Sequence, residues 1–224
     1  MPKEVEAGPL VASLRTHIED RNFPCVGAKS ALNSGLLEIQ SAWQLISAWD
    51  DVAIHEALLR WSDRYENDPH GLRSFIVVFS APLDLNEEAF EAAMWERLSS
   101  LAAKDGWRGQ PYDPSVSSDP SDPHFSLSFG GRAYFVVGMH PNASRAARRT
   151  PYPTLVFNLH DQFEQLRAEQ RYEKLREAIL ERDERLAGSI NPMLARHGEA
   201  SEARQYSGRI VGDDWKCPFK DPRQ

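Results

Sequence analysis

Residues 72–79 read Leu-Arg-Ser-Phe-Ile-Val-Val-Phe, a run of mostly β-branched and aromatic side chains that is stopped by Pro82. The run has the length and composition of a buried strand, so it predicts a central strand of a sheet. The residues from Asn86 to Gly106 then predict a helix, because its first turn is acidic and apolar residues recur at core spacing up to the glycine. The fold therefore contains both a sheet and a long amphipathic helix.

Two more helices are predicted before this strand. Leu10, Leu14 and Ile18 recur at helical spacing, and the pattern breaks at Pro24. A second helical pattern runs from about Asp50 to Tyr65. Both segments carry apolar residues on one side only, which is typical of helices that pack on a sheet.

A hairpin is predicted on the C-terminal side of the long helix. Two strands, 125–129 and 132–137, flank Gly130-Gly131, and a two-residue glycine junction favours a tight hairpin turn. With the turn centred between the glycines, His124 pairs near Val137 and His140 lies just beyond, about three residues of strand rise, or roughly 10 Å, away. The hairpin therefore predicts that two histidines are neighbours at its open end.

One further strand and a long charged helix complete the predicted elements. The strand is Thr154–Leu159, and the helix covers Phe163 to Leu186 with a break near Gln170. Four strands and about six helices, with only one or two βαβ connections, predict an α+β fold with a mostly antiparallel sheet flanked by helices. We predict a single compact domain over residues 1–224.

Two segments of irregular composition are also assigned to this domain. Residues 106–123 are rich in Pro, Ser, Asp and Gly and predict a long loop, a type of segment that is often functional. The C-terminal residues 215–219 read Trp-Lys-Cys-Pro-Phe, and apolar side chains this close to a terminus need burial. We therefore expect the tail to pack back over the domain, with Cys217 as a buried anchor.

The composition excludes several classes of function. The 224 residues carry a formal net charge of −7, which argues against a general nucleic-acid binder and against binding to an anionic membrane surface. The first residues lack the apolar core of a signal peptide, and no apolar run reaches the roughly 20 residues of a membrane span. We expect a cytoplasmic protein, in which its two cysteines form no stable disulfide.

Cys25 is one of those two cysteines, and it stands at a predicted helix start. Pro24 prevents the helix from beginning earlier, and Gly27 permits close approach of a bulky partner. A thiol at a helix N-terminus tends towards thiolate, which can act as a nucleophile, a redox centre or an axial ligand to haem iron. The alternative is that Cys25 is a small buried hydrophobic residue.

Residues 140–149 form the most concentrated polar segment, His-Pro-Asn-Ala-Ser-Arg-Ala-Ala-Arg-Arg. Arg145 shares a face with Arg148 or Arg149, and such a local cationic patch suits recognition of carboxylates or phosphates, including the two propionates of a porphyrin. The alternative is a solvated face that balances acidic helices. His140 likewise is either a structural histidine at a strand end or a metal ligand.

Several motifs together resemble the YqcI/YcgG family over nearly the whole chain. They are Phe-Pro-Cys-x-Gly from residue 23, Gly-x-His-Pro-x-x-Ser-Arg-x-x-Arg-Arg from 138, Phe-Asn-x-His-x-Gln-Phe from 157, Gln-Tyr-Ser-Gly-Arg from 205 and Trp-x-Cys-Pro-Phe from 215. The form with His-Pro and Ser-Arg is similar to the branch of haem-dependent guanidino N-hydroxylases, of the guanitoxin-pathway and D-cycloserine-pathway arginine hydroxylase type.

This resemblance implies a haem b cofactor and an oxygen-dependent N-hydroxylation of a guanidino or amino substrate such as arginine. It implies His140 and Asn158 as catalytic residues. It also implies a set of haem-binding residues, namely Cys25, Gly27, His140, Ser144, Arg145 and Arg148. No glycine-rich nucleotide-binding motif is visible, so the electrons are expected from a separate donor protein.

The identity of the axial ligand stays open at this point. Cys25 is the first choice, because an electron-rich thiolate favours O–O cleavage, and His140 is the second, with Cys217 behind them. The two leading residues need not compete, since His140 can lie on the distal side as a proton donor or a sixth ligand. Two other functions also stay open: a non-catalytic haem-binding or gas-sensing protein, and a structural protein whose Cys and His are merely buried.

Overall fold

β2 (Ser74–Ala81), the strand with the most apolar sequence, lies inside a five-stranded sheet of order β1-β2-β5-β4-β3. The computed structural model describes residues 8–193 and 198–223. The other strands are β1 (Leu37–Gln44), β3 (Leu127–Phe129), β4 (Arg132–Met139) and β5 (Thr154–Leu159). The helices within these ranges are α1 (Pro9–Glu19), α2 (Val26–Asn33), α3 (Asp51–Asn67), α4 (Glu87–Trp107), α5 (His160–Ala168), α6 (Tyr172–Ala187) and α7 (Ala203–Tyr206).

The sheet is mixed, but three of its four pairings are antiparallel. β1 and β2 pair in parallel, and α3 connects them, while β2–β5, β5–β4 and β4–β3 are antiparallel. The predicted α+β class is therefore confirmed. The prediction of four strands was wrong by one, because β1 was missed. Leu37 and Ile39 do alternate with polar residues, but β1 lies at the sheet edge and pairs with one strand only, so its apolar pattern is weak.

One face of the sheet carries the main core. α3 and α4 pack there, on residues such as Phe75, Phe157 and Tyr134, which are fully buried. The C-terminal segment adds Tyr206 and Phe219 to this same core, which confirms that the tail packs back on the domain. Cys217 is partly buried against this core, as expected for an anchor.

The hairpin has the predicted register but is shorter than predicted. Leu127 pairs with Tyr134 and Phe129 with Arg132, so the turn is centred between the two glycines. The ladder ends at Leu127, because the Tyr206 hydroxyl donates to the Tyr134 carbonyl at 3.0 Å and lies 3.5 Å from the Leu127 N–H. The predicted pairing of His124 near Val137 is therefore wrong.

The break predicted near Gln170 is confirmed. Gln170 has a positive φ of 57° and separates α5 from α6, and Gly188 ends α6 in the left-handed conformation with φ of 73°. The turn at Gln170 directs α6 back across the second face of the sheet. α1 and α2 also pack on this face. Within the described residues, no helix has both the length and the apolar character that crossing a bilayer requires.

Candidate functional site

A cavity of about 340 Å³ lies between the second face of the sheet and α6. Its floor is made by alternate residues of β4 and β5, because side chains of a strand point to opposite faces in turn. The floor residues are Phe135, Val137, Met139, Val156 and Asn158. Its volume is in the range of small-molecule sites.

The burial of the strands and of α6 indicates that this space is a binding pocket. Along β4 and β5, the residues towards α3 and α4 are fully buried, whereas most of those towards the cavity are half-buried. The apolar side of α6, which includes Leu175, Ile179 and Leu180, is also only half-buried, and Asp183 is its one buried residue. Protein interiors are normally close-packed, so an apolar helix face over a void is typical of a ligand site.

Cys25 lies in the wall of this cavity at the start of α2. It is the N-cap residue, and its Sγ accepts a hydrogen bond from the Ala28 N–H at 3.4 Å. The backbone at Gly27 is closely packed, since a Cβ at this position would lie 3.3 Å from Leu72 Cδ1. The prediction of a helix start at Cys25 is confirmed, and the close neighbour of Gly27 is Leu72 of the same chain.

The expected tendency of Cys25 towards thiolate is wrong for the protein without a ligand. Burial raises the pKa of Cys25, and this effect exceeds the lowering of the pKa by the Ala28 and Gly27 N–H groups and by the charge of Arg148. The thiol is therefore protonated at neutral pH. A bound metal ion would reverse this, because it deprotonates a coordinating thiol.

Arg148 lines the same cavity and is held by three backbone carbonyls. Its guanidinium donates to the carbonyls of Gly138 at 3.0 Å, Tyr206 at 3.2 Å and Gln205 at 2.9 Å. Burial lowers the pKa of Arg148 to about 10, so the group keeps its charge at neutral pH. Among the described residues, no carboxylate lies within ion-pair distance of it, which makes Arg148 suited to an anionic group of a ligand.

The other two arginines of the predicted cationic patch have different roles. Arg145 forms a two-point ion pair with Asp183 of α6, with Nε 2.9 Å from Oδ2 and 3.1 Å from Oδ1, and donates to the Ser189 carbonyl. Arg149 is exposed and bonds the carbonyls of Ala143 and Ser144. The predicted pairing of Arg145 with a propionate does not fit these contacts, because its charge is already balanced by Asp183.

We expect the Arg145–Asp183 pair to hold α6 over the cavity. Asp183→Asn should leave Arg145 largely buried without its counter-ion, at a cost on the order of 3 kcal/mol, because breaking a buried ion pair strands the remaining charge. Hydrogen exchange should then accelerate across residues 172–187 more than across the sheet. Glu181→Gln is the matched control, since its pair with Arg185 is exposed on the same helix. Equal protection of α6 in both variants would contradict this role.

Asn158 and His160 lie where β5 ends and α5 begins. The Asn158 Oδ1 accepts from the Ser74 hydroxyl at 2.7 Å, and its Nδ2 donates to the Phe135 carbonyl at 3.4 Å. His160 follows two residues later, and its Nε2 lies 3.7 Å from Glu202 Oε1. Asn158 is thus a cavity residue.

His140 and Ser144 lie outside this cavity. Met139 ends β4 facing the cavity, so His140, the next residue, turns to the opposite face and stacks on Phe90 with ring centroids 4.3 Å apart. It is 1% exposed, and burial lowers its pKa. Ser144 is exposed and bonds Glu87 through both its N–H and its hydroxyl. Of the predicted haem-binding residues, Cys25, Gly27, Arg145 and Arg148 line the cavity, whereas these two do not.

Several polar residues of the cavity were not predicted as site residues from the sequence. His160 is the first residue of α5, two residues after Asn158, and both residues line the cavity. Glu202 and Gln205 carried no local signal, since only the folded tail brings them to the cavity. Arg176, on the apolar side of α6, also lines the cavity.

The profile of the YqcI/YcgG family matches residues 14–220. The match covers most of the chain and all the elements that form the cavity, from Cys25 to the folded tail. The chain therefore belongs to the YqcI/YcgG family. No curated protein and no solved structure matches it.

Proposed function

We propose that this protein is a haem-dependent monooxygenase that N-hydroxylates a guanidino or amino substrate, using O2 and electrons from a separate donor protein. The observation that carries the proposal is the cavity under α6, which joins a thiol, a half-buried cation and fixed polar groups within apolar walls. Membership of the YqcI/YcgG family supports it through the resemblance to the guanidino N-hydroxylase branch. The apolar walls would contact the porphyrin ring, the arginines would bind its propionates, and the thiol would bind its iron.

The shape and lining of the cavity fit a flat apolar group. The side chains of β4 and β5 form the floor and the half-buried side of α6 covers it, so a ligand would lie as a layer between them. Filling this layer would complete the contacts that Leu175, Ile179 and Leu180 lack. A porphyrin is the proposed ligand because it is large, planar and mostly apolar.

The charged groups fit the propionates and the iron. Arg148 would bind one propionate, since a carboxylate there gains charge-assisted hydrogen bonds to a guanidinium whose partners within the described part of the chain are neutral carbonyls. Arg176 lines the same cavity and is the second cation for this role. Cys25 would bind the iron through Sγ, with the Ala28 N–H already aimed at that atom.

When bound, haem with a thiolate ligand supplies the activation of dioxygen. The chain's own part is to orient the substrate and to exclude water. Asn158 is fixed by Ser74 and the Phe135 carbonyl, so its amide presents a rigid polar edge at the cavity floor. Phe135 and Val137 beside it keep the floor apolar and dry.

The first test is the absorbance spectrum of the protein purified from haem-supplemented cells. We expect about one haem per chain and, after reduction under carbon monoxide, the red-shifted Soret band of thiolate coordination. Oxygen consumption with a chemical reductant should then rise on addition of arginine or a related amine. A colourless protein that takes up no hemin in titration would contradict the proposal, and haem without substrate-dependent turnover would favour the haem-binding or gas-sensing function.

A further inference from the structure

Gly208 lies directly against the side chain of Arg148. A Cβ added at Gly208 would lie 2.9 Å from Arg148 Cγ, 3.2 Å from Cδ and 3.4 Å from Nε. Carbon atoms in contact are normally about 3.5–4.0 Å apart, so a methyl group does not fit between the two residues. Gly208 belongs to the Gln-Tyr-Ser-Gly-Arg motif at 205–209, and the fold therefore brings this motif onto the arginine that lines the cavity.

The side chain of Arg148 is fixed at both of its ends. At the backbone, the Arg148 N–H donates to the Arg145 carbonyl at 2.9 Å, and the Arg148 carbonyl accepts from the His140 N–H at 3.0 Å. At the far end, the guanidinium is bonded to its three carbonyl partners. The aliphatic stem between these ends cannot swing aside unless the guanidinium leaves its carbonyls.

The backbone that carries Gly208 is also fixed. The Ser207 hydroxyl donates to Glu91 Oε1 at 3.0 Å, and Arg209 Nε donates to Glu91 Oε2 at 2.9 Å. Glu91 belongs to α4 and is buried. Gly208, whose φ is 83°, thus lies between two residues that bind one buried carboxylate. An added methyl group would therefore displace the guanidinium of Arg148 more readily than the tail.

We propose that Gly208 is a positioning residue for the anion site: the missing side chain lets the stem of Arg148 lie on the tail and so holds the guanidinium at the cavity, where it binds a carboxylate of the ligand. This inference rests on the proposed function, since the propionates of haem are the proposed carboxylates. The whole motif then acts as a clamp. Gln205 and Tyr206 supply carbonyls, Ser207 and Arg209 fix the backbone, and Gly208 provides the space.

The first experiment measures the rate of haem transfer from Gly208→Ala to an apo-globin acceptor. We expect haem retention to fall by about tenfold or more, as for loss of the Arg148 contact itself, while the carbon monoxide band of the bound haem stays in place. Gly109→Ala is the matched control, because Gly109 also has a positive φ, of 66°, but nothing lies within 4 Å of an added Cβ. A folded Gly208→Ala protein that retains haem like the native protein would overturn the proposal.

A double variant separates positioning of Arg148 from a general loss of stability. In an Arg148→Ala background the stem is absent, so Gly208→Ala should cause no further loss of haem. It should also lower the melting temperature of the haem-free protein by less than it does in the native background. Equal effects of Gly208→Ala in the two backgrounds would overturn the proposal, because the added methyl group would then act elsewhere.

The melting comparison also covers a Gly208→Ala chain that fails to fold. Recovery of folding in the Arg148→Ala background would support the contact, and failure in both backgrounds would overturn it.

This inference and the proposed function fail in different ways. Coupling between Gly208 and Arg148 in a protein that takes up no hemin would support the positioning of Arg148 and would overturn the haem-dependent function. Normal haem binding without this coupling would overturn the role of Gly208 alone. The two results are distinguishable because the melting temperatures are measured on haem-free protein.

Discussion

Cys25→Ser is expected to abolish the red-shifted carbon monoxide band of the haem-loaded protein and, with it, the hydroxylation of the substrate. The reason is geometric: Cys25 is the one cysteine that lines the cavity among the described residues, and its Sγ is oriented there by the Ala28 N–H at 3.4 Å. A serine hydroxyl keeps the cap but does not supply the electron-rich thiolate that this band requires. The measurement is the spectrum of the reduced protein under carbon monoxide.

Two variants serve as controls for this experiment. Cys217→Ser should keep the band, because Cys217 packs by the main core on the far side of the sheet, where burial raises its pKa to about 12. His140→Ala should also keep it, since His140 stacks on Phe90 outside the cavity, although this variant loses stability through the hole it leaves. A band that survives Cys25→Ser but disappears in either control would contradict the assignment of Cys25 as the ligand.

Arg148→Ala is expected to weaken haem retention by about tenfold or more, since a guanidinium–carboxylate contact in a partly buried site is worth roughly 1.5–3 kcal/mol. The expectation is specific to Arg148, which lines the cavity and whose guanidinium, among residues 8–193 and 198–223, donates to backbone carbonyls only. The measurement is the rate of haem transfer to an apo-globin acceptor. Arg148→Lys should rescue poorly, because an ammonium cannot reproduce the fork that spans Gly138, Gln205 and the ligand.

Arg149→Ala is the matched control, because Arg149 is exposed, does not line the cavity, and its guanidinium donates to the carbonyls of Ala143 and Ser144. Its haem transfer rate should equal that of the native protein. The thermal stability of each haem-free variant separates ligand loss from misfolding, since Arg148 also bridges β4 to the tail. Unchanged haem retention in a folded Arg148→Ala protein would mean that the propionates are bound elsewhere.

Most of the fold was predictable because its determinants act over a few residues. The apolar run of β2, the glycine pair of the hairpin, the strand at 154–159 and the break at Gln170 all lie close to their predicted positions. β1 escaped prediction because its alternation is shallow and it forms an edge. The register of the hairpin followed from the turn, but its length did not, because the Tyr206 hydroxyl arrives from a distant part of the chain.

Residues of the candidate site were predictable only where the alternation of side chains along a strand, or the start of a helix, decides their position. Cys25 and Gly27 fall in the cavity because the start of α2 is a local event at Pro24. The position of His140 was not predicted correctly, because His140 directly follows Met139. A single step along an extended chain turns a side chain to the opposite face. His160, the first residue of α5, lines the cavity together with Asn158.

The sequence by itself determined most of the helices and strands, since periodicity and turn chemistry are properties of neighbouring residues, whereas the edge strand β1 was missed. Only the tertiary structure decided which charges meet. Asp183, 38 residues from Arg145 in the chain, balances that arginine and leaves Arg148 as the cation for a ligand. The tail brings Glu202 beside His160 by closing over β4. Such pairings depend on how helices and tail pack on the sheet, a long-range outcome that no local spacing encodes.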